Sequence, residues 1–112
     1  MTDLIDNEAF ENHFKGLPKD IVGQMVQIFI EDYPAQLEGI ETAINEQNAK
    51  GLKDSAHSFK GMLRSIYSTP LADIAQKLET LGLENKFEEA QKEYRELKDL
   101  IPEVIEILKG YI

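Results

Sequence analysis

Apolar residues recur at helical spacing along almost the whole chain. From Leu52 they step by four, three, four and three through Ala56, Phe59, Leu63 and Ile66, the stripe of a helix with one buried face. Asn48 is placed to cap that helix. Before it, Asp6 or Asn7 opens a short helix with Phe10 and Phe14 on one face, ended by Gly16-Leu17-Pro18. A second helix opens near Lys19, carries Ile21, Met25, Ile28 and Phe29, and continues through Leu37, Ile40 and Ile44 to about Gln47. Pro34 interrupts that stretch; proline lacks the N–H and crowds the preceding turn, so a kink or restart is expected there. Ser68-Thr69-Pro70 reads as an end, a cap and a first-turn proline. Leu71, Ile74, Ala75, Leu78 and Leu81 follow, with Gly82 as the expected stop. Phe87, Ala90, Tyr94, Leu97, Ile101, Val104 and Leu108 form a last helix that Pro102 should bend. Sustained alternation of period two is absent, as are Asn-Gly and Asp-Gly pairs, so strands are not expected. Short links between helices favour antiparallel neighbours. The expected fold class is therefore all-α: an antiparallel up-down four-helix bundle with a short extra N-terminal helix. It should form a single domain over residues 1–112 with more than two-thirds of them helical.

Composition narrows the functions open to such a bundle. The 112 residues contain no Cys, which excludes disulfides, thiolate metal sites and a cysteine nucleophile. Twelve Lys and Arg stand against 21 Asp and Glu, for a net charge of −9. That balance opposes nucleic acid, which is bound through a positive field, and equally an anionic membrane surface. No apolar run approaches the roughly 20 residues of a membrane span. MTDLIDNEAF is acidic and lacks a basic segment followed by an apolar one, so no signal peptide is expected, and the expected compartment is the cytoplasm.

Candidate chemistry sits in AHSFKGMLRS, Ala56 to Ser65, which holds one of the chain's two histidines. His57 lies off the Leu52–Ile66 stripe. Lys60 is three residues on, Gly61 four and Arg64 seven, spacings that set all four on one side of a helix. An imidazole titrates near about 6.5 and is a nucleophile when neutral. Lys60 and Arg64 are cations suited to steady a phosphoryl group, which carries roughly −1.5 to −2 charges. Glycine in a helix interior costs roughly 1 kcal/mol relative to alanine, so Gly61 invites a reason, and close approach of a partner is one. The competing reading is a surface histidine with a lysine nearby by chance. His13, between Phe10 and Phe14, reads as an ordinary surface or boundary residue. A metal site is disfavoured, because His57 has no His or carboxylate at i+4 and Asp54 at i−3 is a single partner.

The same residues carry a resemblance. AHSFKG resembles the signature of histidine-containing phosphotransfer (HPt) domains, with Ala-His, a small polar residue, an apolar residue and Lys-Gly. LADIAQKLETLG, Leu71 to Gly82, resembles the family's next helix, and FIEDYPAQLEGIETAI, Phe29 to Ile44, its helix with a mid-helix proline. Asn48 stands where the family often has an Asp. The resemblance implies an exposed histidine that accepts a phosphoryl group from one receiver-domain aspartate and passes it to another, without an ATP site. Carried over, His57 is the phosphorylated residue, Lys60 neutralises phosphate charge and Gly61 leaves room for the receiver. The chain departs from the family's small residues after Lys-Gly: it has Met62, Leu63, Arg64 and Ser65, and Tyr67 near the place of a usual Gly. Arg64 is a candidate second phosphate-facing cation. Arg64 and Tyr67 are expected to influence partner choice more than folding.

The reading that follows is a phosphocarrier of a two-component multistep phosphorelay. It is not an enzyme, and needs no cofactor and no metal. Its expected partners are receiver domains of response regulators and of hybrid sensor histidine kinases, and it is expected to be a monomer. The alternative is a helical interaction module that docks receivers without transfer. An enzyme using His57 as general base needs a cleft and a second catalytic group; a convex face with two cations and no nearby carboxylate does not supply them.

Overall fold

The structure, a computed structural model, describes residues 3–111. Among them it contains five helices and no strand: α1 (Asn7–Phe14), α2 (Lys19–Asn45), α3 (Ala49–Ser65), α4 (Thr69–Leu83) and α5 (Phe87–Lys109). Helices α2 to α5 pack in a ring, each on its chain neighbour, with α2 closing on α5. Leu52, Ala56, Phe59 and Leu63 of α3 meet Leu71, Ala75 and Leu78 of α4 and Leu97, Val104 and Leu108 of α5 in one apolar core. The fold is the four-helix bundle with a short N-terminal helix that the periodicity implies.

Helix α1 is strapped across one end of this bundle. Asp6 caps it, its Oδ1 accepting from the Ala9 amide at 3.0 Å. Phe10 and Phe14 are buried, their rings 4.7 Å apart, and Phe10 also lies 4.4 Å from the Tyr111 ring. The Asp6 amide donates to the Tyr67 carbonyl at 2.9 Å, and the Ser68 hydroxyl to the Leu4 carbonyl at 2.7 Å. The segment is thereby tied to the turn that follows α3. Ser68, not Thr69, is the cap residue of α4, and its hydroxyl serves this strap instead of the helix terminus.

Two expectations for α2 are corrected. Its buried row is Val22, Val26 and Phe29, whereas Ile21, Met25 and Ile28 are exposed. Both rows are apolar, so spacing alone did not decide which faces inward. The helix also continues through Pro34 as one element, so the restart, one of the two outcomes expected there, does not occur. Pro102 likewise lies inside a continuous α5, and the two prolines line the same groove between α2 and α5.

Three consecutive links repeat one geometry. Gln47, Tyr67 and Asn85 all take left-handed backbone angles, with φ of 52°, 60° and 57°. In each, the following amide reaches back to close the helix end: Asn48 N to Ala43 O at 2.8 Å, Ser68 N to Leu63 O at 2.9 Å and Lys86 N to Leu81 O at 2.9 Å. These are Schellman motifs in which a side-chain-bearing residue stands where glycine is usual. The residue after each left-handed position, Asn48, Ser68 or Lys86, is already the cap residue of the next helix.

Gly82 is therefore not the stop of α4, which runs to Leu83 and turns at Asn85. Its role is close approach. A Cβ there would sit 3.1 Å from the Lys53 amide nitrogen and 3.2 Å from the Ala49 carbonyl, both backbone atoms of α3. At Gly61 a Cβ would meet nothing within 4 Å. Gly82→Ala should destabilise the protein by about 1–3 kcal/mol through overpacking of two backbones. Gly61→Ala should stabilise it by about 0.5–1 kcal/mol through helix propensity. Urea denaturation of both variants checks the opposite signs; a gain in both would show that α3 and α4 are not in that close contact.

Candidate functional site

The Asn48 cap, whose Oδ1 accepts from the Gly51 amide at 2.9 Å, starts α3 in a fixed register. The buried Leu52–Leu63 stripe then sets its rotation. Together they turn His57 outward, with 67% of its side chain exposed. Lys60 turns into the seam with α4, where its side chain is only 10% exposed. It therefore does not share the open face with His57, Gly61 and Arg64.

The seam holds a carboxylate that helical spacing did not anticipate. Glu79 Oε1 lies 2.9 Å from His57 Nδ1, and Glu79 Oε2 lies 2.8 Å from Lys60 Nζ. Lys60 Nζ also donates to Gln76 Oε1 at 2.8 Å, one turn earlier on α4. The expectation of no carboxylate near His57 is thus overturned: Glu79 clamps both side chains. Its signal in the sequence was its place at i+4 from Ala75 and directly after Leu78, the edge of the α4 stripe. That edge faces α3 only once the two helices are packed.

The electrostatics of this clamp assign the roles of its atoms. The hydrogen bond from Lys60 holds the Glu79 carboxyl below its ordinary value of 4.5; burial opposes the shift, and the hydrogen bond from His57 adds to it. Glu79 is then an acceptor only. His57 must donate from Nδ1, and the lone pair of the neutral ring resides on Nε2. No hydrogen bond engages Nε2 among the described residues. The side chain thus presents a single nucleophilic nitrogen outward, in a tautomer selected from behind.

Arg64 is exposed and has no ion pair among the described residues. It is the cation left open on the His57 side of α3. Asp54 lies near Lys50, at 3.5 Å, and Lys53, at 4.0 Å, and takes no part in the clamp. Tyr67 is built into the fold: its hydroxyl lies 2.7 Å from His13 Nδ1, and its ring stands edge-on to Phe10. His13, read as an ordinary surface residue, is the far end of that tie and packs against Phe14.

Fold and site together define a histidine-presenting helical bundle, with the His57 imidazole oriented on an open face by Glu79. The model of the Hpt domain family matches residues 24–107, most of the chain, and the chain belongs to that family. Hpt domains are phosphocarriers of phosphorelays and not kinases. No curated protein and no solved structure matches the chain. The matched span begins within α2 and leaves α1 outside. Among the described residues no helix is long and apolar enough to cross a membrane.

The clamp has a pH signature. A carboxyl whose folded value is lowered contributes stability that is full above its unfolded value and lost as pH falls through the folded one. The stability difference between the protein and its Glu79→Gln variant should shrink as pH falls below the ordinary 4.5. Lys60→Ala should cost about 1–3 kcal/mol near neutral pH, because it leaves a mostly buried carboxylate short of a partner. Urea midpoints between pH 3 and 7, roughly the range over which carboxylates titrate, check both. A difference that does not change on acidification would mean that Glu79 is not held below its ordinary value.

Proposed function

We propose that the protein is a histidine phosphotransfer carrier of a multistep phosphorelay, with His57 Nε2 as the atom that takes and gives the phosphoryl group. The observation that carries this reading is the hydrogen bond from His57 Nδ1 to Glu79, which leaves Nε2 as the outward nucleophile. In the accepting step the Nε2 lone pair attacks the phosphorus of a receiver's aspartyl phosphate. The N–P bond forms, the P–O bond to the aspartate breaks, and the receiver's carboxylate leaves with the electron pair. The ring, still protonated at Nδ1, becomes cationic, and the Glu79 carboxylate beside it stabilises that charge. In the donating step the same atoms run in reverse toward a second receiver.

The surroundings support a large partner. Gly61 leaves open space one turn from His57. Beyond it an apolar groove of about 240 Å³ runs between α3, α2 and α1, lined by Met62 and Ser65 on one side and Met25 and Ile28 on the other. Receivers of response regulators and of hybrid sensor kinases are the partners this surface would take, with Arg64 at its edge as a cation facing the phosphoryl group or the receiver. Lys60 acts through Glu79 and so positions the ring, instead of meeting the phosphate as a free charge. A monomer in the cytoplasm is the form in which such a carrier would work.

Incubation with phosphorylated receiver domains tests the reading. The protein should acquire label that is acid-labile and base-stable, as a phosphoramidate is, and His57→Gln should acquire none while remaining folded. Glu79→Gln should slow transfer about tenfold, the loss of one charge-assisted hydrogen bond. Gly61→Gln should weaken receiver binding without loss of stability. Label on His57→Gln would refute the assignment. Binding of receivers without any label on the wild type would leave a docking module in its place.

A further inference from the structure

Two of the chain's three methionines, Met25 and Met62, line the same groove between α1, α2 and α3. Met25 is 39% exposed and Met62 is half-buried next to Gly61. Their partners there are Phe10, Phe14, Ile28 and Phe29, so the thioethers sit in apolar surroundings that open to solvent. The chain has no cysteine to compete for an oxidant. Along α3, Met62 lies five residues beyond His57, about 7.5 Å of helix axis and about 140° round the helix, so a partner must extend past Gly61 to cover it.

We infer that Met25 and Met62 form a reversible oxidation site through which peroxide weakens phosphoryl transfer at His57. The inference rests on the proposed phosphotransfer, since what it changes is the docking of the receiver. In the reaction a thioether sulfur attacks one oxygen of hydrogen peroxide, the O–O bond breaks and an S–O bond forms. The departing hydroxide takes up the proton from the transferred oxygen and leaves as water. Sulfur loses two electrons and peroxide gains them. The product, methionine sulfoxide, places a strong acceptor in a groove whose lining offers mainly apolar atoms. A partner that excludes water from the groove would leave that acceptor unsatisfied. Docking should therefore weaken while the Glu79–His57 clamp, on the α4 side of the helix, is untouched.

The test compares peroxide-treated and untreated protein, with sulfoxides located by peptide mass mapping. Transfer from a phosphorylated receiver should fall at least about fivefold on treatment, the effect of a desolvated unpaired acceptor. A methionine sulfoxide reductase should restore the rate. Labelling of His57 by phosphoramidate, a donor too small to need the groove, should be unchanged. In a Met25→Leu/Met62→Leu variant the ratio of treated to untreated rates should be one, whatever its untreated rate. A wild type that carries both sulfoxides and transfers at its original rate overturns the inference, as does a double variant that loses the same factor as the wild type. Untreated protein that takes no label from any receiver overturns the phosphotransfer reading itself, and the oxidation site with it.

Discussion

The seam between α3 and α4 is the constraint from which the site follows. Because position 82 has no side chain, the α4 backbone rests on that of Ala49 and Lys53. Helices this close bring the acidic and amide side chains at the edge of α4 within reach of α3. Gln76 and Glu79 then meet Lys60, and Glu79 has an oxygen left for His57. Had the seam been wider, Lys60 would have stayed in solvent, and the imidazole would have been free to rotate and to exchange tautomers. The exposed nucleophile owes its definition to a buried contact more than twenty positions away along the chain.

The elements were legible because their signals are local. The Asn48 cap, the Leu52–Ile66 stripe and the phenylalanines of α1 each depend on steps of three or four residues, and all stand where spacing put them. Glu79 was not legible, because a helical wheel reports neighbours within a helix and is silent across a seam. The outward face of α2 was misread for a different reason. Ile21, Met25 and Ile28 form as good an apolar row as Val22, Val26 and Phe29, and burial chooses between rows only after the bundle has formed. The helix ends were obscured because Gln47, Tyr67 and Asn85 take the conformation that a reader seeks in glycine. At Tyr67 the backbone cost, about 1–2 kcal/mol for a left-handed residue, is offset by bonds to Asp6 and His13 that only the folded α1 supplies.

Under the proposed function the clamp suits both directions of transfer. A neutral ring with its proton on Nδ1 is the form that attacks. The same proton, retained after attack, makes the phosphorylated ring a cationic and therefore better leaving group. One carboxylate favours both by holding one proton in place, and Lys60 keeps that carboxylate ionised. The site thus tunes a histidine without enclosing it, which leaves the whole outward hemisphere of the ring to whatever protein brings or removes the phosphoryl group.

The links also divide the four seams of the bundle into two kinds. Three of its four seams are closed by the same short turn, whereas α2 meets α5 across the whole intervening chain. Loop closure costs most over that longest span. Pro34 and Pro102 both line that seam, and each leaves one carbonyl of its helix without the usual amide partner. In the ring of helices it lies opposite the α3–α4 seam. The gaps in backbone hydrogen bonding therefore fall at the back of the molecule, and neither of the two helices that aim the imidazole carries a proline beyond its first turn.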